Sequence, residues 1–383
     1  SLHAIAKSKG LKIASLNVNS LLKHIDEIRV LLEKYTFDIL AINESKIDNS
    51  IPDNEIHVIG YDLIRNDRNR YGGGVVLYVR DNIPFSVRND LIPNQLEMVC
   101  IEVSRPYNKS FLISTWYRPP NSNLDIFDEW ALFLSKCDNE NCELIIIGDF
   151  NCDVGKSPPD HQTQKLQFIC RLYQIDQLIT EPTRVTPTSA TVIDLILTNR
   201  SENISESGVI HLGISDHSLV YLVRKFIPPK STKTAREIRN FKNFVESDFI
   251  QDISMVPWDM IYQSDDPNIC WQIWKSLFLE VLDRHAPLRR KRLRDDLVPW
   301  ITPHIKQLMR RRDFHKKQAV KHNSKLHWGP YKAERNKVNI QMRQAKSKYF
   351  CDKIQNCSHS KDVKKSWSLI NTLLGRKQKL SDV

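Results

Sequence analysis

Between residues 11 and 225, apolar and polar positions alternate in short blocks. The runs at 12–18, 37–43, 74–79, 111–116, 144–147, 192–197 and 219–223 are rich in Val, Ile and aromatics, which predicts strands. Between the first two, Leu22, Ile25, Ile28, Leu31 and Leu32 recur at the spacing of one helix face, and 126–136 and 164–173 also read as helices. Strands mixed with a few helices and long loops predict packed sheets flanked by helices, without a regular βαβ repeat.

The pattern changes after the polar, proline-containing stretch Pro228-Pro229-Lys230-Ser231-Thr232-Lys233, which predicts a domain boundary. Beyond it the chain reads as helical. Thr302 followed by Pro303 predicts an N-cap with proline at the first helical position, and Ile305, Leu308 and Met309 open an apolar stripe. Gly329-Pro330 interrupts it. A second helix then puts Tyr331, Val338, Met342, Ala345 and Tyr349 on one face, with Lys332, Arg335, Lys337, Arg343, Lys346 and Lys348 elsewhere. The expected organisation is one domain over 1–226 and a helical basic region over 227–383.

Charge sharpens this division. Residues 284–383 hold 27 Lys/Arg against 7 Asp/Glu, a net +20, so the chain total of +11 leaves −9 for residues 1–283. A basic block of that density points to an anionic polymer, nucleic acid first. No apolar run reaches the ~18 residues needed to span a bilayer, so no membrane partner is expected. The first ten residues lack the apolar core of a secretory signal, which suggests an intracellular protein, and a nucleic-acid substrate would place it in the nucleus, with minor support from the basic clusters 289–292 and 310–312. Eight cysteines are scattered without a CxxC pair, as reduced thiols would be. Cys351, Cys357 and His359 fit no common zinc spacing.

Several apolar runs end on polar residues. The sharpest is Leu144-Ile145-Ile146-Ile147-Gly148-Asp149-Phe150-Asn151, where strand alternation puts Asp149 and Asn151 on one side. The others end at Asn17, at Asn43-Glu44-Ser45, at Tyr117-Arg118-Pro119-Pro120 and at Ser215-Asp216-His217, and Asp194 lies inside an apolar run. Carboxylates with amides nearby suit a hard divalent ion such as Mg²⁺. An acid beside an imidazole can fix its tautomer and support its charge. Together these parts suit phosphate ester hydrolysis. A buried Asp194 would need a partner, and His217 supplies one. Without a Gly-x-Ser-x-Gly elbow, Ser215 and His217 do not make a serine hydrolase. Gly72-Gly73-Gly74 lacks the Gly-Lys-Ser/Thr ending of a phosphate loop and reads as a turn into a strand.

The ordered set Tyr117-Arg118-Pro119-Pro120, Gly148-Asp149-Phe150-Asn151, 191–199 and Ser215-Asp216-His217-Ser218 resembles the endonuclease/exonuclease/phosphatase superfamily, which includes DNase I. Within it the resemblance is to the endonuclease domain of non-LTR (LINE-type, jockey-like) retrotransposon polyproteins. It covers about residues 11–225, and the tail is similar to the linker that precedes the reverse transcriptase there. It implies a DNase I-like four-layer α/β sandwich, two packed β-sheets flanked by helices, followed by a mainly α-helical basic tail. It also implies an Mg²⁺-dependent endonuclease, with Mn²⁺ as an alternative ion, that nicks one strand of double-stranded DNA for target-primed reverse transcription.

Carried over, Glu44 with Asn17 would hold the metal, and Asp216 would tune His217 or ligate through water. Asp149 would activate water with Asn151 beside it. His217, aligned by Asp194, and Tyr117 would contact the phosphate. Arg118 would touch nucleic acid, as would Arg68 and Arg70 from the loop at 65–71, and the basic tail would bind the element's RNA. Asn43 stands where many relatives have Gln or Thr, and Thr183 or Thr186 would supply a further hydroxyl. No polymerase motif is present. The alternatives are an abasic-site repair endonuclease or phosphatase of the same superfamily, and a non-catalytic nucleic-acid-binding relic.

Overall fold

Every apolar run of the first 225 residues forms a strand. The computed structural model describes residues 5, 7–35, 37–105, 108–226, 228, 235–292, 298–322, 324–359, 367 and 369–371. In chain order the strands are β1 (Leu11–Asn17), β2 (Ile39–Asn43), β3 (Tyr61–Asn66), β4 (Val75–Arg80), β5 (Phe85–Val87), β6 (Glu97–Arg105), β7 (Asn108–Tyr117) and β8 (Glu143–Asp149). They continue with β9 (Asp176–Gln177), β10 (Arg184–Val185), β11 (Ala190–Thr191), β12 (Asp194–Thr198), β13 (Ile204–Ile210), β14 (Leu219–Arg224), β15 (Ala235–Arg239) and β16 (Leu288–Arg292). The helices are α1 (Leu21–Tyr35), α2 (Asp53–Ile56), α3 (Ile126–Asn139), α4 (His161–Leu172), α5 (Glu246–Ser254), α6 (Pro267–His285), α7 (Pro303–Lys321) and α8 (Lys325–His359).

Two six-stranded sheets carry the fold, one ordered β13-β14-β1-β2-β4-β3 and the other β5-β6-β7-β8-β12-β9. The strand period of two divides side chains between layers. Ile13, Ile39, Ala41, Val75 and Leu77 face a core shared with Ile101, Ile113, Ile145 and Ile196 of the second sheet. Their neighbours Ala14, Leu40, Ile42 and Val76 pack instead with Leu21, Ile25, Ile28 and Leu32 of α1. The outer face of the second sheet is sealed by aromatics. Trp116 stacks on Trp130 of α3 at 5.3 Å, and Phe150 stands edge-on to Trp116 at 5.0 Å. The result is the expected four-layer α/β sandwich.

Two expectations change. Each sheet contains one parallel pair, β1 with β2 and β7 with β8, joined through α1 and α3. The chain therefore has two βαβ units that its uneven loop lengths disguise. Pro330 does not separate two helices but lies inside α8. The first four amides of a helix have no intrahelical partner, so a proline at the sixth position forfeits one bond, and the burial of Trp328 and Tyr331 around it offsets that.

The tail differs from its expected organisation too. The described residues up to 228 form one compact unit together with those from 298 onward, while 235–292 form a second. In the first unit α7 and α8 make an antiparallel pair that docks on α1. Trp300 Nε1 donates to Asp26 Oδ2 at 3.1 Å, and the buried Arg312 donates to Glu27 Oε2 at 2.6 Å. The second unit holds α5, α6 and the β15–β16 pair, with Trp271, Trp274 and Phe278 stacked along α6. Among the described residues no helix is long and apolar enough to cross a membrane.

Candidate active site

The register of the sheets brings the polar strand ends together. Asn17 ends β1 beside Asn43 of β2, and in the facing sheet Asp149 pairs with Tyr117 on one side and Asp194 on the other. Asn17 crosses between the sheets. Its Nδ2 donates to Asp149 Oδ2 at 2.9 Å and to Glu44 Oε1 at 3.1 Å. The Tyr117 hydroxyl donates to the same Glu44 oxygen at 3.2 Å. Asn43 is wholly buried, bonded to Ser15, Thr115 and the Trp116 carbonyl, so its amide ties the sheets together.

Asp194 finds the partner that its burial demanded. His217 Nδ1 lies 2.9 Å from Asp194 Oδ2, and ligand-type atoms of Asp149, Asp194 and His217 fall within 4.8 Å of one another. Such a group could hold a metal ion, but Asp194 already occupies Nδ1. Burial disfavours the imidazolium, yet the Asp194 carboxylate, with Asp149 and Asp216 nearby, outweighs it and pushes His217 up to about 9. This trio therefore reads as two carboxylates around a cationic ring. Burial and the charge of Asp194 in turn raise the Asp149 carboxyl. Tyr117 is raised by burial and by the charges of Glu44 and Asp149, so it remains a phenol able to donate.

The His217 shift carries a stability prediction. A histidine whose folded pKa exceeds its unfolded value of 6.5 stabilises the fold fully below that value, and the contribution disappears as pH rises through about 9. The loss should be at most on the order of 3 kcal/mol. Thermal melts from pH 6 to 10 should fall more steeply for the parent chain than for Asp194→Asn; parallel curves would refute the charged pair.

Backbone geometry aims these groups. Glu44 and Asn151 both have φ near +50°, at 50° and 47°, a region that non-glycine residues occupy at some cost, as happens at functional sites. The Asn151 amide N–H donates to Asp149 Oδ1 at 3.0 Å, and its side chain donates to the Arg118 carbonyl at 2.8 Å. Arg118 itself departs from its expected role at the nucleic acid. It is fully buried, donating to the Phe150 and Asn151 carbonyls at 2.6 and 2.7 Å and to Ser122 and Gln162. Its planar fork fits converging carbonyls, so it braces the Asp149–Asn151 turn from behind.

Of the other arginines, Arg68 lies with its guanidinium 5.9 Å from the Tyr117 ring centroid and bonded to Glu97, beside the site. Arg70 is exposed and pairs with Asp48 at 3.1 Å. Asp216 pairs with Arg184 at 2.9 Å. Among the described residues, no hydrogen bond or ion pair joins it to Glu44 or Asn17.

Two residues escaped the sequence reading, and a third was left open between Thr183 and Thr186. Lys46 Nζ lies 3.1 Å from Glu44 Oε2 and also bonds Asn19. Arg184 forms a β-bridge with His217. Thr183 Oγ1 accepts the Ile193 and Asp194 amides at 3.1 and 3.0 Å, which positions Asp194, whereas Thr186 only closes its own turn with Ser189. Lys46 could have been suspected from its place two residues after Glu44. Arg184 reaches the site only through tertiary pairing and carries no local signal.

The donors at Glu44 fit a hard divalent cation. Burial opposes its ionisation, but the hydrogen bonds of Asn17, Lys46 and Tyr117 and the Lys46 charge hold the carboxyl below the usual range. An ionised, partly exposed carboxylate beside an amide is an oxygen-donor set of the kind Mg²⁺ takes.

Residues 14–217 match the Endonuclease/Exonuclease/phosphatase family. Among solved structures the chain is similar to the endonuclease domain of TRAS1, a telomere-specific non-LTR retrotransposon, at 13% identity over 56% of this chain and 98% of that one, with a TM-score of 0.46. It is also similar to the 3′–5′ exonuclease NExo from Neisseria meningitidis, at 18% identity over 56% and 100% with a TM-score of 0.46. A third is an AP endonuclease from Archaeoglobus fulgidus, at 17% over 56% and 99% with a TM-score of 0.44. No curated protein matches the chain. The family match spans more than half of the chain and runs through Asn17, Glu44, Tyr117, Asp149, Asp194 and His217, the residues that the two sheets bring together, and this chain belongs to the Endonuclease/Exonuclease/phosphatase family.

Proposed function

We propose that this chain is a divalent-metal-dependent endonuclease, with Mg²⁺ the expected ion, that nicks one strand of double-stranded DNA. The observation that carries the reading is the bonded chain Tyr117–Glu44–Asn17–Asp149 across two sheets, with the Asp194–His217 pair beside it. Glu44 and Asn17 would hold the metal, which when bound would polarise a phosphate oxygen. Asp149, held by Asn17 and the Asn151 amide, accepts the proton of the attacking water. Its raised pKa favours a base near neutral pH. The ring nitrogen that His217 leaves to substrate donates to a phosphate oxygen as charge builds, and the Tyr117 phenol donates from the other side. Water oxygen bonds to phosphorus, the bond to O3′ breaks, and O3′ takes up a proton from solvent, leaving a 3′-hydroxyl and a 5′-phosphate.

Such an end could prime reverse transcription, as the likeness to the retrotransposon branch at Tyr117–Pro120 and Ser215–Ser218 suggests. On this reading Arg68 and Arg70 approach the DNA backbone, the basic tail takes the element's RNA, and the protein works in the nucleus.

Conversion of supercoiled to nicked plasmid should require added Mg²⁺ and should stop with chelator. Glu44→Gln should raise the metal concentration for half-maximal nicking by about tenfold or more. Intact and abasic duplexes should be cut alike. Cutting confined to the abasic duplex would transfer the chain to the repair class, and no Mg²⁺-dependent cutting by the parent would leave a binding protein.

A further inference from the structure

The tail helix α7 reaches the loop that carries His217. Lys316 is 1% exposed, although it sits in the most basic part of the chain. Its ammonium donates to the Val185 carbonyl at 3.3 Å and to the Asp216 carbonyl at 3.5 Å. It also lies over the rings of Trp328 and Tyr331, 4.9 and 5.2 Å from their centroids. Among the described residues it makes no ion pair. A buried ammonium is costly unless its charge is met, and burial lowers this one to about 8. A methionine would fill the same space more cheaply, so the charge calls for another explanation than packing.

The two carbonyls supply it. Val185 follows Arg184, Asp216 precedes His217, and Arg184 and His217 face each other in a β-bridge. Ser218 N donates to the Thr183 carbonyl at 2.7 Å on the same seam. Lys316 thus fastens the two segments whose pairing sets the imidazole. Neighbouring tail groups grip the same loop. Asp313 accepts the Gly213 amide at 2.9 Å, and the Tyr331 hydroxyl donates to the Gly213 carbonyl at 3.4 Å. The approach is close, since a Cβ on Gly213 would lie 2.4 Å from Arg312 Nε.

The structure assigns Lys316 as a positioning residue for the reaction: from the C-terminal helix it clamps the Val185 and Asp216 carbonyls and so fixes His217 and the Arg184–Asp216 pair. The tail is then part of the nuclease, not only its basic appendage. The assignment rests on the nuclease reading for its kinetic consequence, though not for its structural one.

The test uses the full chain with Lys316→Met, which keeps the volume between the rings and removes the donor. A matched control is Leu308→Ala, which removes a buried contact of α7 on α8 without touching the loop. Lys316→Met should lower kcat for plasmid nicking about 10- to 100-fold, as misplacement of a reacting group does, with KM changed less than twofold. In histidine-labelled protein without substrate, the Nδ1 proton of His217 bonded to Asp194 should shift or broaden. Leu308→Ala should leave that resonance and kcat as in the parent. Unchanged kcat and resonance in Lys316→Met would overturn the assignment, as would an equal effect from Leu308→Ala at matched thermal stability. If Lys316→Met does not fold, Lys316→Leu, which also lacks a donor, serves with the same readouts. If the parent chain does not nick DNA, the nuclease reading fails by itself, and the His217 resonance alone decides the clamp.

Discussion

Asp149→Asn should lower the nicking rate by about 10²- to 10⁴-fold, the range for loss of a general base, while leaving the protein at least as stable as its parent. The two halves of this expectation have one cause. Burial and the nearby Asp194 raise the Asp149 carboxyl, so above its folded pKa the ionised form is held in surroundings that oppose it. For an acid with a raised pKa, that strain is absent at low pH and grows as pH rises through the folded value. A neutral amide relieves it. The cost is one misdirected hydrogen bond, because the carboxylate accepts from both Asn17 Nδ2 and the Asn151 amide. Plasmid nicking and a thermal melt of the same preparation check both halves. Retained activity would remove Asp149 from the reaction, and lost activity with a lost fold would show only that the residue is structural.

The largest structural effect should come from one methyl group. Gly148 has φ +151°, and a Cβ there would lie 2.0 Å from the Trp116 carbonyl oxygen, its neighbour in the parallel β7–β8 pair. Neither strand can retreat easily. Trp116 is locked against Trp130 and Phe150, and close-packed interiors transmit such a displacement. Gly148→Ala should therefore cost about 3 kcal/mol or more, combining the strain of a forbidden backbone with unpacking of the aromatic layer. It should also impair nicking, because the next residue is Asp149. Denaturant unfolding of the two proteins measures the first effect. A midpoint equal to that of the parent would mean that the strand end relaxes without cost.

Much of this site was visible before any folding. Asp194 announced itself as an acid inside an apolar run, and the need for a partner pointed to His217, which the structure supplies at 2.9 Å. Arg118 was misread for an equally physical reason. An arginine next to Tyr117 in a loop looks like a surface cation, but its donors match the Phe150 and Asn151 carbonyls, groups that become neighbours only when β7 and β8 pair. Arg312, within the basic cluster at 310–312, and Lys316, one of the tail's basic residues, are likewise both buried.

The sequence by itself determined seven of the strands (β1, β2, β4, β7, β8, β12 and β14), the main helices, the uneven charge and the chemistry available at each strand end, because these follow from local periodicity and from residue type. Only the tertiary structure decided which ends meet. It gave Asn17 two carboxylates from different sheets, seated Thr183 under Asp194, and returned the tail to the domain it was expected to leave. Those outcomes depend on strand register and helix docking between distant residues, 132 positions apart in the Asn17–Asp149 bond and 285 in the Arg312–Glu27 pair. Contacts of that span are selected by the packing of the whole core, and no local pattern encodes them.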